Sequence, residues 1–108
     1  MTLKDLRDSI ASISTFATKV TYRAWPEGKA PKLPFVCYLA TNTDNFDADN
    51  RVYHVIQNVD VELYTAKKSE AYEQALESKF ADIGLPWEKS EVYLDDENCY
   101  EIIYSITL

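Results

Sequence analysis

Between Arg51 and Thr65 the chain alternates. Tyr53, Val55, Val59, Val61 and Leu63 share one phase of a two-residue period, interrupted only by Gln57; His54, Asn58, Asp60 and Glu62 share the other. A strand sends such sets to opposite faces, whereas 3.6 residues per turn would scatter them around a helix. Valine, isoleucine and tyrosine also suit a pleated surface. The pattern predicts a long strand with one buried face, the spine of a sheet.

Other periodicities surround it. Leu3, Leu6, Ile10 and Ile13 fall at spacings of three and four, an amphipathic helix. Thr2 and Asp5 are placed for a shortened capping box, and the serines after Ala11 weaken the helix, so it is expected to end near Ser14. Within Phe16–Trp25, Val20, Tyr22 and Ala24 alternate with Lys19, Thr21 and Arg23 as in a strand. Pro26, Gly28, Pro31 and Pro34 then impose a loop. Phe35–Ala40 is an apolar run of strand length, covered on both faces or by a neighbouring subunit. The polar, acidic 41–50 stretch reads as a long loop joining it to the spine strand in an antiparallel hairpin. A second helix opens at Ser69, with Tyr72, Ala75, Leu76, Phe80 and Ile83 on one face. Glu70 and Glu73 occupy its first turn, where the macrodipole favours negative charge, and Gly84 and Pro86 stop it. Trp87–Leu94 and Tyr100–Leu108 form a second hairpin about the turn 95–98. The order helix, three strands, helix, two strands predicts an α+β fold, a mostly antiparallel sheet with two helices on one face.

Composition narrows the class. The 108 residues are expected to form a single domain, residues 1–108, burying about 65% of the surface its unfolded chain exposes. Hydrophobic content of 46% and eight tyrosines argue against disorder. Two glycines are too few for a Gly-rich phosphate loop. The net charge of −7, without any basic run, argues against specific nucleic-acid binding and against an anionic membrane surface. It permits docking on a basic partner. No apolar run approaches a membrane span and the N-terminus lacks a signal-like apolar core, so a soluble protein made in the cytoplasm is expected. Cys37 and Cys99 lie far apart without a CxxC pair and read as buried free thiols; a disulfide requires their Cα atoms within about 7 Å.

Candidate chemistry is sparse. His54 is the only histidine, so a triad or a histidine-ligated zinc site would have to use it. A Cys37–His54 dyad across the first hairpin is the one enzymatic arrangement worth testing. The segment 44–50 is rich in carboxylates, but it lacks the central glycine and final glutamate of a calcium loop. Chance proximity among eighteen acidic side chains makes a glycosidase-like pair uninformative. Aromatic residues are common binding hot spots, and Trp25, beside the proline-rich loop, and Phe46, in the polar stretch, fit no core pattern. With Asp47, Asp49, His54, Asp60 and Glu62 they are the candidate interface residues. No catalytic residue, metal site or cofactor is expected.

One further signal is an ordered set of short motifs. LP precedes an apolar strand at Leu33–Pro34, NF at Asn45–Phe46 is followed by Ala48-Asp49-Asn50, Val52-Tyr53 opens the spine and Glu62-Leu63-Tyr64-Thr65 closes it. Gly84-Leu85-Pro86-Trp87-Glu88-Lys89-Ser90-Glu91 then precedes the last hairpin. Over residues 33–104 this set resembles the tail-terminator and head–tail joining proteins of long-tailed bacteriophages and prophages of Gram-positive bacteria. The resemblance implies a non-enzymatic virion component: a self-associating ring, commonly a hexamer, that ends the tail tube and meets the head connector. No site residues transfer with it. A closing ring needs a heterologous interface, and an acidic lumen would repel passing DNA. The competing expectation is a small acidic adapter that binds a basic protein through 41–50 and 95–98.

Overall fold

The computed structural model describes residues 1–48 and 51–108, with the side chains of 46–54 outside the description. Helix α1 is Leu3–Ala11, followed by a short 3-10 turn at Ser14–Phe16; strands β1, β2 and β3 are Val20–Tyr22, Phe35–Ala48 and Arg51–Thr65; helix α2 is Glu70–Asp82; strands β4 and β5 are Glu88–Leu94 and Cys99–Thr107. The five strands form one sheet in the order β1-β2-β3-β5-β4. Only the β1–β2 pair is parallel. The α+β class, the element order and the mostly antiparallel sheet agree with the sequence reading.

Alternation sets the core. Val36 and Tyr38 of β2 stand opposite Leu63 and Val61 of β3. The same β3 residues face Ile102 and Tyr104 of β5, and Val59 faces Ile106. These side chains join Leu6 and Ile10 of α1 and Leu76 and Phe80 of α2 in one buried cluster. Both helices therefore cover one face of the sheet, and the other face carries none.

The caps follow from the sequence. Thr2 and Asp5 exchange backbone-to-side-chain hydrogen bonds of 3.0 and 3.1 Å at the start of α1, the reciprocal pattern of a capping box. That helix ends three residues before Ser14. The chain then tightens through the 3-10 turn, which drives Phe16 fully into the core instead of opening a strand. Helix α2 starts at Ser69, whose hydroxyl accepts from the Tyr72 amide. It ends on Gly84 at φ 73°, with the Leu85 amide donating to the Phe80 carbonyl at 2.8 Å, a Schellman closure.

The expected loop 41–50 is the main correction. Strand β2 continues through it to Ala48, paired with β3 as far as Ala48↔Arg51. An antiparallel ladder needs backbone partners rather than apolar side chains, and here polar side chains reinforce it. Asn58 Nδ2 donates to Asp44 Oδ2 at 2.7 Å, and Gln57 Nε2 donates to the Asn42 carbonyl at 2.9 Å. The register slips by one residue between Ala40 and Asn42, a bulge that increases local twist. Strand β5 pairs with β3 only from Asn58 to Thr65. Beyond that point, among the described residues, β2 and β3 pair only with each other, and the hairpin leaves the sheet as a two-stranded arm. The longest dimension of the chain is 50 Å, against 29 and 23 Å for the others.

Candidate interaction surface

Three features of the surface stand out: the arm, the helix-free sheet face, and a charged seam between α2 and β4. The arm is where the spine strand departs from its expected burial. Val59, Val61, Leu63 and Thr65 are buried, but Val55, in the same phase, is 55% exposed. The alternation predicts the side of the strand correctly. It does not reveal that β5 and the helices stop before Val55. Gln57, the one polar interruption, marks that boundary; Leu108 N donates to its carbonyl at 2.9 Å. Among the candidate residues, Phe46, Asp47 and His54 lie on strands of the arm, with side chains outside the described residues. Asp49 lies outside them altogether.

On the helix-free face an aromatic row leads into a carboxylate cluster. Trp25 packs edge-on against Phe35 at 5.9 Å between ring centroids, and Phe35 lies 5.1 Å from Tyr64. Trp25 is thus half-buried in the fold rather than projecting, and its indole Nε1 is shielded with no partner among the described residues. The Tyr64 hydroxyl donates to Glu101 Oε2 at 2.8 Å and lies 3.2 Å from Glu62 Oε1. Burial, then the negative charge of Glu101, pushes the Glu62 carboxyl up to about 7. Burial also raises the neighbouring Cys37 thiol to about 11, with Glu62 and Glu101 adding to it. Asp60, on the same face, accepts from Ser105 Oγ at 3.3 Å. Asn58, Asp60 and Glu62 are therefore half-buried, not the fully exposed polar edge of the spine that alternation suggests. Tyr64 and Glu101 were missed at sequence level, because the cluster forms only through the pairing Tyr64↔Glu101 between distant strands.

The seam holds a second missed residue. Glu73, expected in the first turn of α2 for its favourable charge at the helix N-terminus, is a buried carboxylate. Its Oε2 lies 2.7 Å from Lys68 Nζ in an ion pair, and its Oε1 accepts from Lys89 Nζ at 3.1 Å. Burial raises its pKa, but the two ammonium groups outweigh burial and lower it overall. Lys89 also bonds Glu77 Oε2 at 2.8 Å, and Tyr104 donates to the same oxygen at 2.7 Å. This network ties α2 to β4.

These groups do not assemble an enzyme-like constellation. Cys37 stands opposite Glu62, and His54 lies eight residues further along β3, about 26 Å at the rise of a strand. The Cys–His dyad is not formed. Cys37 and Cys99 are free thiols. Among the described residues no three His, Cys, Asp or Glu side chains group as metal ligands, and no helix is long and apolar enough to cross a membrane. A groove of about 500 Å³ lies where the arm leaves the sheet, lined by Thr41, Asn58, Asp60, Trp87, Ser105 and Ile106 among others. It is open, and the Ser105–Asp60 hydrogen bond lies on its wall. Comparison with protein-family models and with curated proteins gives no match to this chain.

Proposed function

We propose that the chain is a structural, non-enzymatic protein of phage morphogenesis, acting at the head–tail junction as a tail terminator. It associates with copies of itself in a ring, a hexamer in the resembled family, on the last ring of the tail tube. It stops tube growth there and offers its outer side to the head connector. It assembles in the host cytoplasm and remains in the virion. The observation that carries this reading is the arm: a two-stranded hairpin beyond the sheet, bearing Val55 exposed in the phase of the core. A neighbouring subunit packed on the arm would cover that side chain. The motif set over 33–104 supplies the context.

Electron microscopy of purified protein mixed with polymerising tail tubes tests the reading. Tubes should end at a uniform length with density at one tip. Tubes that grow equally long with and without the protein refute it. The adapter reading retains one supporting observation, the exposed acidic turn Asp95–Glu97. It requires a basic partner that binds the monomer while tube growth is unaffected.

A further inference from the structure

The two edges of the sheet carry opposite charge. Lys19 and Arg23 flank β1, and the loop that follows adds Lys29 and Lys32 against the single acid Glu27. On the β4 side, residues 88–97 hold five carboxylates against Lys89 alone. Internal pairing does not cancel this asymmetry. Lys89 is engaged with Glu73 and Glu77, and Glu91 with Lys68. Among the described residues Arg23, Lys29 and Lys32 form no ion pair, nor do Glu88, Asp95, Asp96 and Glu97. Each edge also exposes apolar surface: Tyr22 at 43% on β1, and Val92 and Tyr93 at 43 and 47% on β4. Arg23 adopts φ 66°, a left-handed backbone that glycine or asparagine takes at lower cost. An arginine there keeps a cation at the basic edge at some expense in backbone strain.

We infer that the basic β1 edge of one copy docks on the acidic β4 edge of the next. Three strands separate the two edges, so the patches lie on opposite sides, roughly 19 Å apart at the spacing of strands. A two-fold dimer joined edge to edge would set like charge on like charge. Complementary patches on opposite edges that meet edge to edge do so head to tail, the heterologous geometry that closes into a ring or runs on as a filament. Tyr22 against Tyr93, which share the helix-bearing face of the sheet, supplies an apolar centre, and the charges around it select the register. The bare edges of a small sheet invite indiscriminate strand pairing; a charge code restricts them to one partner. The inference rests on the ring reading only for closure. The contact itself follows from the edges.

The test uses two charge reversals in the full chain, Lys29→Glu with Lys32→Glu on the basic side, and Asp95→Lys with Asp96→Lys on the acidic side. The substituted side chains are exposed, and circular dichroism checks that both variants fold. Sedimentation equilibrium at low salt should show the parent self-associating, and association should weaken as salt rises. Each reversal alone should weaken it at least about tenfold. An equimolar mixture of the two variants should restore it, since every acidic edge again finds a basic one. The inference is overturned by a parent that stays monomeric at millimolar concentration, by variants that associate as the parent does, or by a mixture that fails to recover. Failed tube capping with intact head-to-tail association would remove the terminator reading and leave this contact. Capping that survives both reversals would remove the contact alone.

Discussion

At the scale of single residues the most informative group is Glu62. Its carboxyl is raised to about 7, first by burial and then by the adjacent Glu101, so the folded state holds a proton that the unfolded chain releases near the ordinary glutamate range. A pKa raised on folding contributes stability that is complete below the unfolded value and lost as pH rises through the folded one. The window is therefore from about 4.5 to about 7. Because Glu62 is only half-buried, solvent screening reduces the effect to about 1 kcal/mol. Glu62→Gln mimics the protonated form. Urea unfolding of this variant should match the parent at pH 5 and exceed it by about that amount at pH 8. A parallel pH dependence in the two proteins would show that Glu62 does not hold the proton.

Individual elements depend on a few such contacts. Gly84 ends α2 at φ 73°, and a Cβ added there meets nothing within 4 Å. The cost of Gly84→Ala is thus purely that of the left-handed backbone, about 1 kcal/mol, visible as a lower urea midpoint with unchanged slope. Lys89→Ala strikes the seam between α2 and β4, where it removes one of the two ammonium groups that compensate the buried Glu73. The expected loss is about 1–2 kcal/mol, less than for a fully unpaired buried charge because Lys68 remains. The Glu73 pKa is lowered on folding, so its contribution holds above the unfolded carboxylate value and fades as the solution is acidified through the folded one. The parent and the variant should accordingly converge at low pH. Helix α2, its stop and the last hairpin were legible in the sequence because periodicity, caps and turn residues lie within a few positions of one another. The burial of Glu73 was not, since it depends on Lys89 sixteen residues away. The continuation of β2 through 41–48 was hidden for another reason: polar residues on an arm clear of the core leave no alternation of burial to read.

For the whole molecule the decisive relation is between the spine strand and what covers it. The period of two correctly assigned Val55 to the side of Val59 and Val61, yet where the helices and β5 stop is a property of the assembled sheet. The candidate surface was legible to the same extent. Asp60 and Glu62 do share a face, and their partners Tyr64 and Glu101 appear only once the strands are in register. An apolar residue left uncovered by its own fold can be separated from a core residue by experiment. Val55→Ser should leave the urea midpoint within about 0.5 kcal/mol of the parent, because the side chain is 55% exposed and substitutions at such positions change little. If the arm docks on a neighbouring subunit or on the tube, the same variant loses about 1 kcal/mol of apolar contact per subunit, a loss repeated at every position around a ring. Control of tube length should then fail at protein concentrations where the parent succeeds. A variant of unchanged stability that still ends tubes at the parent's length would mean that the arm is not the contact, whatever covers Val55.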